Sequence, residues 1–183
     1  MPFTFEKMGL PGVILCKPRI FADDRGYFFE SWNQRDFMEG GILEMFVQDN
    51  QSASVKDTLR GLHYQSKPFM QAKLVRVLSG TVLDCAVDIR PGSPTFKKHL
   101  LYELTAEKGE SLFIPEGFAH GFRVLSDRAV VLYKASAFYS PDHDRGIAWD
   151  DPDLDIDWGI QNPILSEKDK RQPRLKDIDY AEL

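Results

Sequence analysis

Two of the four histidines in this chain sit inside apolar, glycine-punctuated segments, Leu59-Arg60-Gly61-Leu62-His63-Tyr64-Gln65 and Ile114-Pro115-Glu116-Gly117-Phe118-Ala119-His120-Gly121-Phe122. An imidazole where core residues are expected must be hydrogen-bonded, bound to a metal or used for proton transfer, because burying it unpaired costs about 1 to 3 kcal/mol. The other two keep polar company, His99 in Lys97-Lys98-His99 and His143 in the run 141–145. His63 and His120 are therefore the candidate chemical groups. Each also fits the plainer role of a satisfied core residue.

The segments around both histidines read as strands. Most of the sequence alternates apolar and polar residues with period two between turn signals, as half-buried antiparallel strands do. The pattern predicts strands over Val13–Lys17, Gly26–Trp32, Met45–Gln48, Thr58–Tyr64, Ala72–Leu78, Thr81–Ile89, His99–Leu104, Ser111–Ile114, Gly121–Leu125 and Ala129–Ser136. Ser79-Gly80 separates two of these runs and reads as a hairpin turn, with Gly supplying positive φ. A short helix is expected after Asn33, where Asn33 and Asp36 have capping-box spacing and Gly40-Gly41 would end it. Beyond Asp151 the chain is polar, with Pro152, Pro163 and Pro173, and is expected to wrap the outside of the sheets from about residue 152. Many short strands with few helices predict an all-β, antiparallel jelly-roll barrel with a few short peripheral helices. Two histidines inside such a barrel favour function over mere packing.

Composition narrows the classes. At 183 residues the chain fits one domain, which buries roughly 70% of its unfolded surface and can carry a pocket without disulfides. A formal charge of −5 argues against nucleic acid or an anionic membrane surface as partner. No signal-peptide pattern and no run of ~18 apolar residues occurs, so neither export nor a membrane span is expected. Cys16 and Cys85 lie in aliphatic, strand-like runs and read as reduced core residues of a cytoplasmic protein.

Gly109, Pro115, Gly117 and His120 spell G-x5-P-x-G-x2-H, which resembles the second signature of the cupin superfamily of small jelly-roll barrels. Metal-binding cupins supply H-x-H and a Glu from the first signature, so that three histidines and a carboxylate enclose a divalent ion. Here Gln65 stands where the second histidine would be. Two imidazoles alone make a weak site, which disfavours a His-rich metal centre.

A sharper match runs from Phe21 to Asp169. Asp24-Arg25-Gly26-Tyr27-Phe28-Phe29-Glu30-Ser31, Phe46-Val47-Gln48-Asp49-Asn50, Leu59 to Gln65, Gln71 to Arg76, Val87-Asp88-Ile89-Arg90, Ser93-Pro94-Thr95-Phe96, Pro115 to Phe122, Tyr133-Lys134, Tyr139-Ser140-Pro141 and Leu165 to Asp169 together resemble the dTDP-4-dehydrorhamnose 3,5-epimerases. The resemblance implies a cupin dimer, without cofactor or metal, that inverts C3 and C5 of a 4-keto-6-deoxy sugar carried on dTDP. Both carbons flank the C4 ketone, so either proton can leave if a base is held against the C–H and the enolate is stabilised.

The same resemblance distributes the roles. His63 becomes the base and Asp169 its partner, although Ser166-x-x-Asp169 also has the spacing of a helix cap. Tyr133, which alternates with Val131 and Ala135, becomes the acid; on the residues alone it reads equally as a core tyrosine. Lys73, otherwise a bland surface lysine, would stabilise the enolate, and His120 would assist binding or oxyanion stabilisation. Arg25 and Arg60 would meet the pyrophosphate, Tyr139 would stack on thymine, and Glu30, Gln48, Asp49, Asn50 and Lys168 would be further ligand contacts. Asp144 stands where the family commonly has Glu, which puts that contact in doubt. The resemblance further implies that N-terminal strands bearing Arg25 and Glu30 cross to complete the neighbour's pocket. Three other readings stay open: an epimerase acting at one carbon, a cupin that binds a sugar nucleotide without chemistry, and a metal-dependent cupin.

Overall fold

The computed structural model describes residues 2–183, and strands dominate them. In chain order these are β1 (Phe3–Lys7), β2 (Ile14–Pro18), β3 (Phe21–Asp23), β4 (Gly26–Phe28), helix α1 (Gln34–Glu39), β5 (Gln48–Val55), β6 (Leu59–Gln65), β7 (Lys73–Ser79), β8 (Thr81–Asp88), β9 (His99–Thr105), β10 (Ser111–Ile114), β11 (Phe118–Val124), β12 (Arg128–Ala135) and β13 (Asp144–Gly146). Short 3-10 turns follow at Pro141–His143, Asp169–Arg171, Leu175–Asp177 and Tyr180–Glu182. No described helix is long and apolar enough to cross a membrane.

Two antiparallel sheets face each other as a cupin-like jelly roll. One is six-stranded, in the order β1-β2-β10-β7-β12-β5, and the other is five-stranded, β13-β6-β11-β8-β9. Val75, Val77 and Val131 from the first and Val82, Ala86, Phe122 and Val124 from the second share the central core. The outer faces are covered too. Phe3, Ile14, Phe37 and Phe113 form a cluster against the six-stranded sheet, and Leu59, Leu62, Val87, Ile147, Leu154, Trp158 and Leu175 form another against the five-stranded one. Apolar residues scattered in the polar C-terminal segment pack it against the five-stranded sheet. The free cysteines lie in separate clusters, Cys16 under the N-terminal segment and Cys85 under the C-terminal wrap.

Several strands differ from expectation. β1, β3 and β13 are short or half-exposed and leave little periodic signal. β5 begins where the predicted strand Met45–Gln48 would end, because its half-buried residues, Gln48, Asn50, Ser52 and Ser54, are polar rather than apolar. Ser79-Gly80 is no hairpin: β7 pairs with β10 and β12, while β8 pairs with β11 and β9. Gly80 has φ +79°, as expected, but uses it to turn the chain from one sheet to the other, where an added Cβ would lie 2.1 Å from the Arg128 carbonyl. Helix α1 follows its signals, with the Asn33 side chain accepting from Asp36 N at its start and Gly40 at its end.

Candidate active site

A bulge decides which way β6 points its polar residues. The register with β11 pairs His120 with His63 but Phe122 with Arg60, so Gly61 is one residue extra in β6. That insertion puts Arg60, His63 and Gln65 on the inner wall while Leu59, Leu62 and Tyr64 pack against the wrap. Gly61 has φ +118°, and a Cβ there would sit 2.6 Å from Gly121 Cα, so only glycine fits without displacing backbone.

On the facing sheet, antiparallel pairing aligns Tyr133 of β12 with Asn50 of β5, and Ala135 with Lys73 of β7. The inward residues of both sheets enclose a cavity of about 260 Å³ lined by His63, Lys73, His120, Tyr133, Tyr139 and Asp144, with Arg60 and Lys168 also on its wall. His63 and Tyr133 therefore face one space from opposite sheets.

His63 Nε2 lies 2.5 Å from Asp169 Oδ1, leaving Nδ1 as the ring nitrogen not engaged by the carboxylate. Asp169 is buried, and its other oxygen accepts from Ser166 Oγ at 2.7 Å while its own N–H donates to that hydroxyl. Asp169 thus bonds the His63 ring on one side and the Ser166 hydroxyl of its own turn on the other, and it caps no α-helix. Burial works to raise its carboxyl, but the hydrogen bond and charge of His63, the Ser166 hydroxyl and the Lys168 charge outweigh that, holding it below the ordinary carboxylate range.

Lys73 is no surface lysine. It is buried, its Nζ donates to the His63 carbonyl at 3.3 Å and lies 5.9 Å from the Tyr133 ring centre. Burial pulls its ammonium down to about 8, against the upward pull of Asp144 and Asp84. Burial, reinforced by Asp144, raises the Tyr133 phenol above its usual value, so it keeps its proton at neutral pH. At the mouth, Tyr139 Oη donates to Asp144 Oδ2 at 2.9 Å and Lys168 pairs with the same carboxylate.

His120 Nε2 meets Asp84 Oδ2 at 2.9 Å with both side chains buried. Asn50 shares its sheet face with Tyr133, and Gln48 is occupied by Tyr139 N and Asn50; neither is among the residues lining the cavity. Asp49 is turned to the other face, where Lys134 binds it. Arg25 pairs with Asp23 on the exposed β3–β4 hairpin and Glu30 accepts from Asn33, so neither reaches the cavity of its own chain. Sequence reasoning missed Asp84, Ser52, Gln71 and Phe122. Asp84 carried a readable signal, an acidic residue in phase with Val82 and Ala86 inside an apolar run. Among the described residues, no group of at least three His, Cys, Asp or Glu side chains is arranged to hold a metal.

A family profile described as dTDP-4-dehydrorhamnose 3,5-epimerase matches residues 7–177. The dTDP-4-dehydrorhamnose 3,5-epimerase of Shigella flexneri is 51% identical over 175 residues, covering 95% of this chain and 97% of that one. Its Pseudomonas aeruginosa counterpart is 52% identical, covering 94% and 96%. A crystal structure of a dTDP-6-deoxy-D-glucose-3,5-epimerase from Legionella pneumophila, in complex with dTDP-4-keto-L-rhamnose, superposes with a TM-score of 0.95 at 43% identity, covering 99% and 97%. The family profile and the nearly full-length similarity show that the chain belongs to the dTDP-4-dehydrorhamnose 3,5-epimerase family.

Proposed function

We propose that this cavity binds dTDP-4-dehydro-6-deoxy-D-glucose and inverts C3 and C5, giving dTDP-4-dehydro-L-rhamnose for dTDP-L-rhamnose biosynthesis. The enzyme is an isomerase working by proton transfer next to a ketone. His63 Nδ1 takes the hydrogen from the carbon beside C4, and the electron pair of that C–H bond becomes the enolate. Asp169, bonded to Nε2, fixes the ring and supports the imidazolium that forms. The Lys73 ammonium stands against the developing charge on O4, with His120 assisting from the neighbouring strand. The Tyr133 hydroxyl then gives its proton to the same carbon from the opposite face, and solvent restores both groups. Repetition at the second carbon completes the reaction.

Binding falls to the mouth and rim. Arg60 meets the pyrophosphate, Tyr139 stacks on thymine, and Lys168, Asp144, Gln48 and Asn50 supply further contacts, whereas Asp49, held by Lys134 on the other face, supplies none to this pocket. The chain acts as one cupin-like domain in a homodimer. Its β3–β4 hairpin, with Phe21, Tyr27 and Phe28 exposed, carries Arg25 and Glu30 into the partner's pocket.

The observation that carries this reading is the His63–Asp169 bond in a cavity whose opposite wall bears Tyr133. The test is reaction in D2O. Deuterium entering at both C3 and C5 with inversion at both supports it. Exchange at one carbon alone would make this a single-carbon epimerase, and binding without exchange would make it a binding protein.

A further inference from the structure

Gln65 occupies the position at which a metal-binding cupin would present its second histidine, and it is spent on backbone instead. The side chain is buried, with 6% of its surface exposed. Its Nε2 donates to the Phe69 carbonyl at 2.6 Å and to the Phe138 carbonyl at 3.2 Å. Its Oε1 accepts from Ser140 N at 2.7 Å. One amide thus holds the peptide groups on either side of Tyr139. Gln48 Oε1 takes Tyr139 N itself at 2.9 Å, and Gln71 Nε2 donates to the Ala137 carbonyl at 2.7 Å. Residues 137–140 have left the end of β12 and run outside any strand, so these amides take the place of a ladder.

What they hold is a ring poised for a flat ligand. Tyr139 is 55% exposed yet lines the cavity, with its hydroxyl fixed to Asp144. An aromatic ring left open to water at a cavity mouth loses affinity whenever its backbone must be ordered at the moment of binding. A chain segment already fixed avoids that cost.

We infer that Gln65 is a positioning residue for nucleotide binding: its amide clips the segment 138–140 so that the Tyr139 ring stands preformed over the pocket to receive the thymine base. This rests on the proposed reading of the pocket as a dTDP-sugar site. Gln65 touches backbone rather than reacting atoms, so its effect must pass through Tyr139.

The test is a double-mutant cycle read by calorimetric titration with dTDP, using Gln65→Met, Tyr139→Ala and the combined variant. Gln65→Met should raise the dTDP Kd about tenfold, equivalent to about 1.4 kcal/mol. In the Tyr139→Ala background the same change should cost less than about twofold, because the clip then has no ring to position. With dTDP-sugar, KM should rise more than kcat falls. Gln65→Leu, which likewise removes the donors and the acceptor without adding charge, should raise the dTDP Kd by a similar factor and serves if the methionine variant fails to fold. An unchanged Kd in a folded Gln65 variant overturns the inference, as do equal losses with and without the Tyr139 ring. Failure of the unmodified protein to bind dTDP would instead refute the reading of the pocket, and this inference with it.

Discussion

His63 and His120 are cross-strand neighbours on β6 and β11, and each bonds an aspartate through Nε2, yet the two pairs are built differently. Asp84 comes from the adjacent strand of the same sheet, and the His120–Asp84 pair is almost wholly enclosed, its side chains 7% and 0% exposed. Asp169 comes from a turn in the C-terminal wrap, 106 residues from its partner in sequence, and the His63 side chain remains 33% exposed, on the cavity wall. A base must reach its substrate and release its proton to water, whereas a fixed dipole or hydrogen-bond donor need do neither. The open pair suits proton transfer and the closed pair suits orientation. The same two residue types, side by side, stand in different surroundings because of where the fold puts their carboxylates.

Substitution should break the pairs unequally. His63→Ala is expected to reduce turnover and solvent exchange about 10³-fold or more, against about 10 to 100-fold for His120→Ala, measured as deuterium incorporation at saturating substrate. Equal losses would erase the distinction. Asp169→Asn, which keeps a side-chain oxygen for Nε2 and removes the charge, should lower kcat about 10 to 100-fold with KM nearly unchanged, and Asp84→Asn should do less.

Smaller effects sharpen the comparison from the facing sheet. Lys73, pulled down to about 8 by burial, carries its charge below that pH and loses it above, so kcat/KM should decline as pH rises through about 8. Tyr133, raised by burial, stays protonated through the same range and cannot supply that limb. A Lys73→Arg variant should shift the decline upward; an unmoved profile would assign it elsewhere. Smallest of all, Arg60→Ala should raise KM about fivefold at low salt, a difference that shrinks as salt screens this exposed charge.

Strands β7, β8 and β12 are legible because apolar core residues recur along them at even spacing, Val75 and Val77, Val82 and Ala86, and Ala129 and Val131. β5 is not, since a strand facing a polar ligand carries Gln48, Asn50 and Ser52 inward and loses the contrast that periodicity detects. The two imidazoles stood out by type and company. Their partners did not: Asp169 is brought to His63 by the wrap, and on spacing alone it reads as a turn residue bonded to Ser166, which it also is. The bulge at Gly61 left no trace that a glycine in a strand does not leave anywhere, yet it decides that Arg60 and His63 share a wall. Lys73 reads as a surface residue until both sheets are in place around it.

On the proposed mechanism, proton removal and proton return belong to different walls of one cavity. Tyr133→Phe, reacted with the keto sugar nucleotide in D2O and followed by proton NMR, tests it most directly. Deuterium exchange that persists at C5 while fully inverted product falls by about 10²-fold or more is the predicted result. Full epimerase activity in this variant, or its loss of all exchange with binding and fold intact, would contradict the assignment of His63 and Tyr133 to opposite faces of the sugar.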